Sequence, residues 1–215
     1  MKKLNIIYED KEILVVNKPA KLLTVATDKE EIRTLYHEVR EYLHKKNQKV
    51  FVVHRLDKDT SGLVLFAKNS RLKEMLQNNW LRYTREYAAV VEGKLPKIKD
   101  TLRFYLQEDK THRVYVSNKG LSSVTEYEVL DTNKTQSLIS VRIKTGRKNQ
   151  IRASLAYIGN PIVGDKKYEA KINSLSRLGL HANRLVIKHP ITNKEMEFSC
   201  DAPTQFYLGF EKYKK

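Results

Sequence analysis

The segment Val53–Lys68, VHRLDKDTSGLVLFAK, decides how the chain around it can fold. It places five ionisable side chains in positions 54–59, HRLDKD, followed by a Thr-Ser-Gly break and the apolar run LVLFA. A short run that is apolar on both faces is typical of a strand at the centre of a sheet. Because Thr, Ser and Gly favour turns, the segment predicts a charged loop held against a buried strand.

Asp57 is the residue of this loop that is best placed for chemistry. Arg55 and Lys58 lie close to it in sequence and favour its ionised carboxylate. A charged carboxylate held rigidly at the end of a sheet can act as a nucleophile or as a base. The alternative interpretation is a salt-bridged aspartate that shapes the turn, and turn formation is the stronger interpretation for Asp59.

The sequence before this segment predicts one strand and one helix. EILVVNKP, residues 12–19, indicates a short apolar strand that ends at a Lys-Pro pair. Apolar residues then recur at helical spacing and predict an amphipathic helix over residues 28–45, with a capping box formed by Thr27 and Glu30. The apolar positions of this helix are Ile32, Leu35, Tyr36, Val39 and Leu43.

The sequence after the segment predicts a helix capped by Ser70 and then a series of strands. EYAAVVEGKL, residues 86–95, indicates a strand, and three shorter segments downstream indicate an antiparallel meander. SLISVRIKTG alternates apolar and polar residues, which places Ile139, Val141 and Ile143 on one face of a further strand.

Together these elements predict an α+β fold. The expected architecture is a mixed, mainly antiparallel central sheet flanked by helices and loops, with a central cleft. No repeat, low-complexity tract or linker divides the sequence, so we expect a single catalytic domain over residues 1–215.

A second charged segment, KTGRKNQIR at residues 144–152, joins a predicted strand to a predicted helix. The free amides at a helix start, with Arg147, Lys148 and Arg152 nearby, could bind a phosphate or a carboxylate. The alternative is a helix start with solvated cations, and the glycine spacing is not that of a Walker loop. A third segment, GNPIVGDKKYE at residues 159–169, by itself indicates only a loop.

The composition indicates a globular protein with a polyanionic partner. The 41 Lys and Arg against 25 Asp and Glu give a formal net charge of +16, spread along the whole chain. This charge favours RNA or DNA as a partner, and the alternative is a soluble protein with a lysine-rich surface. The single cysteine, Cys200, cannot form an internal disulfide or a cysteine-based metal site. Without an apparent signal peptide or membrane span, we expect a cytoplasmic monomer that does not bind membranes.

Taken in order, the charged segments carry more information than each does alone. HRLDKDTSGLVLFAK, KTGRKNQIR, GNPIVGDKKY and LGLHANRLVIKHP follow VVNKP in the chain. This ordered set resembles the RluA-type pseudouridine synthases over about residues 7–203. The resemblance implies an enzyme that acts on uridines of ribosomal or transfer RNA. Such an enzyme breaks the N–C glycosidic bond, turns the uracil and rejoins it through carbon, with no cofactor and no metal.

The resemblance also implies roles for five residues. Asp57 matches the family's aspartate, which acts on the sugar either as a nucleophile or as a base that yields a glycal. Arg152 matches the arginine that pairs with this aspartate, and Arg55 matches the arginine that helps hold the target nucleotide out of its stack. Tyr87 matches a tyrosine that packs on the uracil and takes the proton from its ring carbon. Ile151 matches the apolar residue against the base.

The sequence departs from the family pattern at several positions. The family loop usually reads Gly-Arg-x-His-Gln-Ile-Arg, but Asn149 stands in place of the histidine. Ala153 and Ser154 stand where a second histidine is common, and Lys21 stands where glycine often follows Pro-Ala. We expect the catalytic domain to start directly at the beginning of this sequence, and its own surface to recognise the RNA.

Two other functions are compatible with parts of the sequence. A basic RNA-binding protein that has lost catalysis is the main alternative, although it would not need an intact Asp57, Tyr87 and Arg152. A metal-dependent nuclease that uses His54 and Asp59 beside the same aspartate is a third hypothesis. The cations on either side of these carboxylates disfavour a dication site.

Overall fold

A computed structural model describes residues 4–26 and 34–213 and shows two compact units. The first unit comprises the chain up to residue 83 together with 182–200, and the second comprises 84–181 together with the residues from 201 onward. The predicted α+β class is confirmed, because strands outnumber helices and pair almost throughout as antiparallel neighbours. The single catalytic domain over 1–215 stays a prediction.

Eleven strands, three α-helices and four short 3₁₀ helices make up the regular structure of the described residues. In chain order the strands are β1 (Ile6–Glu9), β2 (Ile13–Lys18), β3 (Phe51–Val52), β4 (Ser61–Ala67), β5 (Thr84–Glu92), β6 (Lys99–Glu108), β7 (Val114–Ser117), β8 (Leu121–Thr132), β9 (Gln136–Ile143), β10 (Leu180–Lys188) and β11 (Glu195–Ser199). The α-helices are α1 (Leu35–His44), α2 (Ser70–Asn78) and α3 (Gln150–Tyr157). Among the described residues, no helix combines the length and the apolar character needed to cross a membrane.

The first unit is organised around β4, in which every residue is buried. β4 lies between β2 and β10, and its antiparallel register with β2 runs from Ile13↔Ala67 to Lys18↔Gly62. β1 pairs with β2, and β11 pairs with β10. The prediction that LVLFA forms a central strand is confirmed, and the strand begins two residues earlier, at Ser61.

The helices of the first unit differ in detail from the sequence prediction. α1 begins at Leu35 with Thr34 as its N-cap, because the Thr34 hydroxyl accepts a hydrogen bond from the His37 amide. The predicted capping box of Thr27 and Glu30 lies outside the described residues. The prediction of Ser70 as a cap was wrong, since the Asn69 side chain accepts the hydrogen bond from the Leu72 amide.

The second unit contains the sheet β5–β9–β8–β6–β7, with every pair antiparallel. The predicted meander was wrong in its strand order. β8 pairs with β6 rather than with β7, so β6 lies between the two. The predicted face of β9 is confirmed, because Ile139, Val141 and Ile143 are buried in a cluster with Ile151 and Leu155 of α3.

Gly62 allows β4 and β10 to approach each other closely. Its φ of +116° is a conformation that residues with a side chain rarely adopt. A Cβ atom at this position would lie 2.2 Å from the carbonyl oxygen of Ala182 and 2.5 Å from its nitrogen. Only glycine therefore fits this position near the start of β4.

We predict that Gly62→Ala destabilises the protein by about 2 to 5 kcal/mol, from the positive φ and the clash with Ala182 together. Gly159→Ala is the matched control, because Gly159 has a φ of +83° and a Cβ atom there would meet no other atom within 4 Å. That control should cost only about 1 to 2 kcal/mol. Urea denaturation measures both variants, and equal losses would contradict the role given to close strand packing.

Candidate functional site

Asp57 lies on an irregular loop between β3 and β4, as the sequence predicts. Its side chain is half-buried, whereas Arg55 and Lys58 on either side are exposed. The Thr60 amide donates a hydrogen bond of 3.2 Å to the Asp57 carbonyl, which closes the turn into β4. A carboxylate in this position is supported by buried structure and still reaches the surface of the unit.

Lys18, the last residue of β2, ties this loop to the sheet. Its side chain is fully buried, and its Nζ donates to the carbonyl oxygens of Pro19 (3.0 Å), Leu22 (2.6 Å) and Lys58 (3.0 Å). Burying an ammonium group is costly unless hydrogen bonds compensate it, and charge-assisted bonds to carbonyls do so. The charge of Lys18 therefore fixes the backbone one residue after Asp57.

Thr24 holds the loop on the other side of Asp57. Its buried hydroxyl donates to the Leu56 carbonyl at 2.8 Å and accepts from the Leu56 amide at 3.1 Å. The Thr24 side chain thus satisfies both the backbone N–H and the backbone C=O of Leu56, a buried residue that lies outside the strands. Lys18 and Thr24 together hold the backbone on both sides of Asp57.

His54 marks the point where the chain leaves β3. Its Nε2 accepts a hydrogen bond of 3.0 Å from the Leu65 amide of β4, so the ring takes the place of a strand partner. The ring also stacks on Trp80, with 4.3 Å between the ring centroids. These contacts indicate a structural role, which disfavours the nuclease hypothesis.

A possible metal-ligand group occurs elsewhere in the first unit. Within residues 4–26 and 34–213, the group with suitable spacing is Asp10, Glu12 and His189, and not His54 with Asp57 and Asp59. Both ring nitrogens of His189 are already engaged, Nδ1 with the Thr192 amide and Nε2 with Asp10. The cluster is therefore explained by hydrogen bonds within the fold.

Tyr87 lies near the start of β5 in the second unit, where the sequence places it. Its half-buried ring packs against the apolar cluster that also contains Ile151.

Arg85, two residues before Tyr87, is buried and donates from Nη2 to the carbonyls of Ile143 (3.3 Å) and Lys144 (3.2 Å). Burial lowers the pKa of the Arg85 guanidinium, and its interaction with Tyr87 acts in the opposite direction. Sequence reasoning missed Arg85, although it stands two positions before Tyr87 on the same strand.

The loop before α3 is held by contacts within the protein. The side-chain oxygen of Gln150 accepts from the Thr145 hydroxyl (2.7 Å) and from the Arg147 amide (3.0 Å). Arg147 also donates from Nε to the Ser122 carbonyl at 3.1 Å, and Lys148 forms an ion pair with Glu108. The Arg147 amide and both cations thus have partners in the fold, which favours a structural role over the predicted anion site.

Arg152 on α3 is paired with Asp165, a residue that sequence reasoning did not assign. Its Nε and Nη2 donate to the two carboxylate oxygens at 2.7 Å and 2.8 Å, and both side chains are buried. Its neighbour Ile151 is buried in the core of this unit, so contact between Ile151 and a base stays a prediction. The only sequence signal for Asp165 was its place in GNPIVGDKKY.

The proposed site residues are divided between the two units. Arg55 and Asp57 lie in the first unit, and Tyr87, Ile151 and Arg152 lie in the second.

The amino-acid sequence matches a known enzyme family. Residues 12–157 match the RNA pseudouridylate synthase family. The chain is 36% identical over 199 residues to the Bacillus subtilis protein named uncharacterized RNA pseudouridine synthase YhcT, covering 89% of this chain and 66% of that protein. It is 34% identical over 226 residues to ribosomal large subunit pseudouridine synthase D of Buchnera aphidicola, covering 93% and 70%. The chain therefore spans about two thirds of the length of these relatives.

Solved structures support the same fold. Human RNA pseudouridylate synthase domain containing 1 superposes with a TM-score of 0.78 at 24% identity, covering 94% of this chain and 84% of that one. Human RNA pseudouridylate synthase domain containing 4 gives a TM-score of 0.75 at 22% identity, covering 94% and 90%. Together with the family match, this confirms the resemblance inferred from the ordered motifs.

We predict that Lys18→Met lowers the free energy of unfolding by about 3 kcal/mol, because methionine fills the buried space but leaves the carbonyls of Pro19, Leu22 and Lys58 without their donor. Lys11→Met is the control, since Lys11 is exposed and its replacement should change stability by less than about 0.5 kcal/mol. Denaturant unfolding of both variants measures the difference. Equal stability of the two variants would show that the ammonium group does not hold the loop.

Proposed function

The chain belongs to the RNA pseudouridylate synthase family, and we propose that it isomerises specific uridines of ribosomal or transfer RNA to pseudouridine. The observation that carries this proposal is Asp57, the family's aspartate by motif, on a loop whose backbone is fixed on both sides. The name of the Buchnera relative, a ribosomal large subunit synthase, supports ribosomal RNA as the substrate. We expect the protein to act as a monomer without a cofactor or metal.

The proposed reaction leaves the atomic composition of the nucleoside unchanged. The bond between ribose C1′ and uracil N1 breaks, the uracil turns, and a new bond forms between C1′ and C5. The proton on C5 leaves, and N1 gains one. Because substrate and product are isomers, the overall reaction consumes no oxidant, reductant or second substrate.

Asp57 is the residue that acts on the sugar in this proposal, as a nucleophile or as a base that yields a glycal. Arg152 would keep this carboxylate charged and oriented, as the matching arginine does in the family. Both roles require an ionised acid. Arg55, exposed beside Asp57, would help to hold the everted nucleotide.

Tyr87 is the proposed contact for the uracil ring. A half-buried tyrosine offers an aromatic face for stacking and a hydroxyl that can accept a proton. Ile151 would supply an apolar contact to the same base. Both residues belong to one packed cluster of the second unit, so their side chains are held together by the core.

The positive charge of the protein suits an RNA substrate whose target nucleotide must be unstacked before it reacts. Turning a nucleotide out of folded RNA costs roughly a few kcal/mol. Contacts between lysine or arginine and phosphate can offset this cost, and the net charge of +16 provides many such groups. Pseudouridine mapping of total RNA with and without the gene tests the proposal, and identifies the uridine.

We predict that Asp57→Asn reduces the single-turnover rate of pseudouridine formation by at least about 100-fold, because the amide is neither a nucleophile nor a base. RNA affinity should be retained. Asp59→Asn is the control, since Asp59 lies exposed in the same loop and should keep the wild-type rate. A wild-type protein that binds RNA but leaves every uridine unchanged would instead support the RNA-binding alternative.

We predict that Tyr87→Phe also lowers this rate by about 100-fold or more, because a phenyl ring stacks but cannot accept a proton. Affinity for the RNA should change little, since the stacking face remains. Rates and dissociation constants measured on the mapped substrate separate the two effects. A near-normal rate would remove the Tyr87 hydroxyl from the chemistry.

A further inference from the structure

Asp165 and Arg152 form a buried ion pair with a fixed geometry. The two carboxylate oxygens face Nε and Nη2 of the guanidinium, and the side chains are only 1% and 8% exposed. Two parallel hydrogen bonds between planar groups define the plane of the guanidinium as well as its position. The contact therefore determines the direction in which the remaining edge of Arg152 points.

Tyr168 restricts the same guanidinium from a second direction. Its ring centroid lies 5.3 Å from the Arg152 Cζ, within the range of a cation–π contact. Its hydroxyl donates a hydrogen bond of 2.8 Å to the carbonyl of Val114, the first residue of β7. The ring is thereby anchored to the sheet at its far end.

The backbone that carries Asp165 is held by its surroundings. Gly164 has a φ of +77°, and a Cβ there would lie 2.2 Å from the Arg177 carbonyl oxygen. The Asp165 amide donates to the Ile162 carbonyl, and its own carbonyl accepts from the amides of Tyr168 (3.1 Å) and Ala170 (3.1 Å). The position of the carboxylate is thus set by the backbone of the loop.

Stability alone gives little reason for a buried ion pair here. Removing two charges from water is costly, and well-packed apolar residues of similar size are often as stable as such a pair. A pair of this kind does supply orientation, which an apolar contact cannot fix to the same degree. Its place beside the arginine that the family assigns to catalysis indicates a functional reason for it.

We propose that Asp165 and Tyr168 are positioning residues that hold the guanidinium of Arg152 in one orientation for uridine isomerisation. The proposal rests on the proposed function, in which Arg152 keeps the catalytic carboxylate charged and aimed. Asp165 and Tyr168 act through Arg152 and are not themselves assigned any contact with the substrate. Removing them should therefore slow the reaction without weakening the binding of RNA.

Asp165→Asn is the first test. The amide keeps the size of the side chain but presents an N–H group to one of the two arginine donors, so the paired geometry is lost. We expect the single-turnover rate to fall about 100-fold, the effect of a displacement of about 1 Å in a catalytic group. The dissociation constant for the same RNA should be unchanged. Glu169→Gln is the control, because Glu169 lies in the same loop as Asp165, its ion pair with Arg113 is exposed, and its loss should leave the rate unchanged.

A double-mutant cycle separates positioning from general support of the fold. In an Arg152→Lys background, Asp165→Asn should cause little further loss of rate, because its effect passes through the guanidinium that is already gone. If the rate losses of Arg152→Lys and Asp165→Asn multiply in the double variant, the proposal is overturned. So would an Asp165→Asn protein with the wild-type rate.

Tyr168 supplies an independent test if Asp165→Asn fails to fold, which its melting curve would show. Tyr168→Phe keeps the ring over Arg152 and loses only the anchor to Val114, whereas Tyr168→Leu loses the ring. We expect the rate to decrease from wild type to Tyr168→Phe to Tyr168→Leu, and equal rates in all three would overturn the proposal. An inactive wild-type protein would refute the proposed function, whereas an active one with insensitive variants would refute only the positioning roles.

Discussion

A buried ammonium group requires a full set of acceptors, and Lys18 finds three of them in backbone carbonyls. Two of these carbonyls, at Pro19 and Leu22, belong to the segment that directly follows β2, and the third, at Lys58, belongs to the loop of Asp57. Because an unsatisfied charge inside the protein would cost several kcal/mol, the segments must meet around the ammonium in the folded state. The Thr24 hydroxyl adds the same constraint at Leu56, so the loop of Asp57 is ordered without any strand pairing of its own.

Buried cations of the second unit are held in the same way. Arg85 binds the carbonyls at the end of β9, and Arg152 is held by Asp165 and Tyr168. Apolar packing positions Tyr87 and Ile151 nearby, but it leaves a long cationic side chain free to rotate. Directional hydrogen bonds to buried cations supply the orientation that packing alone does not. In each unit a buried cation therefore binds backbone carbonyls, Lys18 in the first unit and Arg85 in the second.

The sequence predicts those parts of the fold that depend on periodicity. The strand LVLFA and the buried face of β9 follow from patterns of apolar residues, and both are confirmed. Contacts between distant segments leave no local pattern, so the position of β8 beside β6 and the Asp165 partner of Arg152 could not be predicted. Neighbouring residues can also compete for one role, as Asn69 and Ser70 do at the start of α2. The loop position of Asp57 was predictable because charge, turn residues and an adjacent buried strand coincide.

Backbone conformation bears on two departures from the family pattern. Lys21, which stands where glycine is frequent, has a φ of +65°, a conformation in which glycine carries no steric penalty. Asn149, which replaces the usual histidine, has a φ of +49° at the N-cap of α3. Asparagine tolerates this left-handed conformation better than most residues. Because its side chain is also buried, the histidine-to-asparagine difference is better understood as a requirement of the turn before α3 than as a change in an exposed contact with RNA.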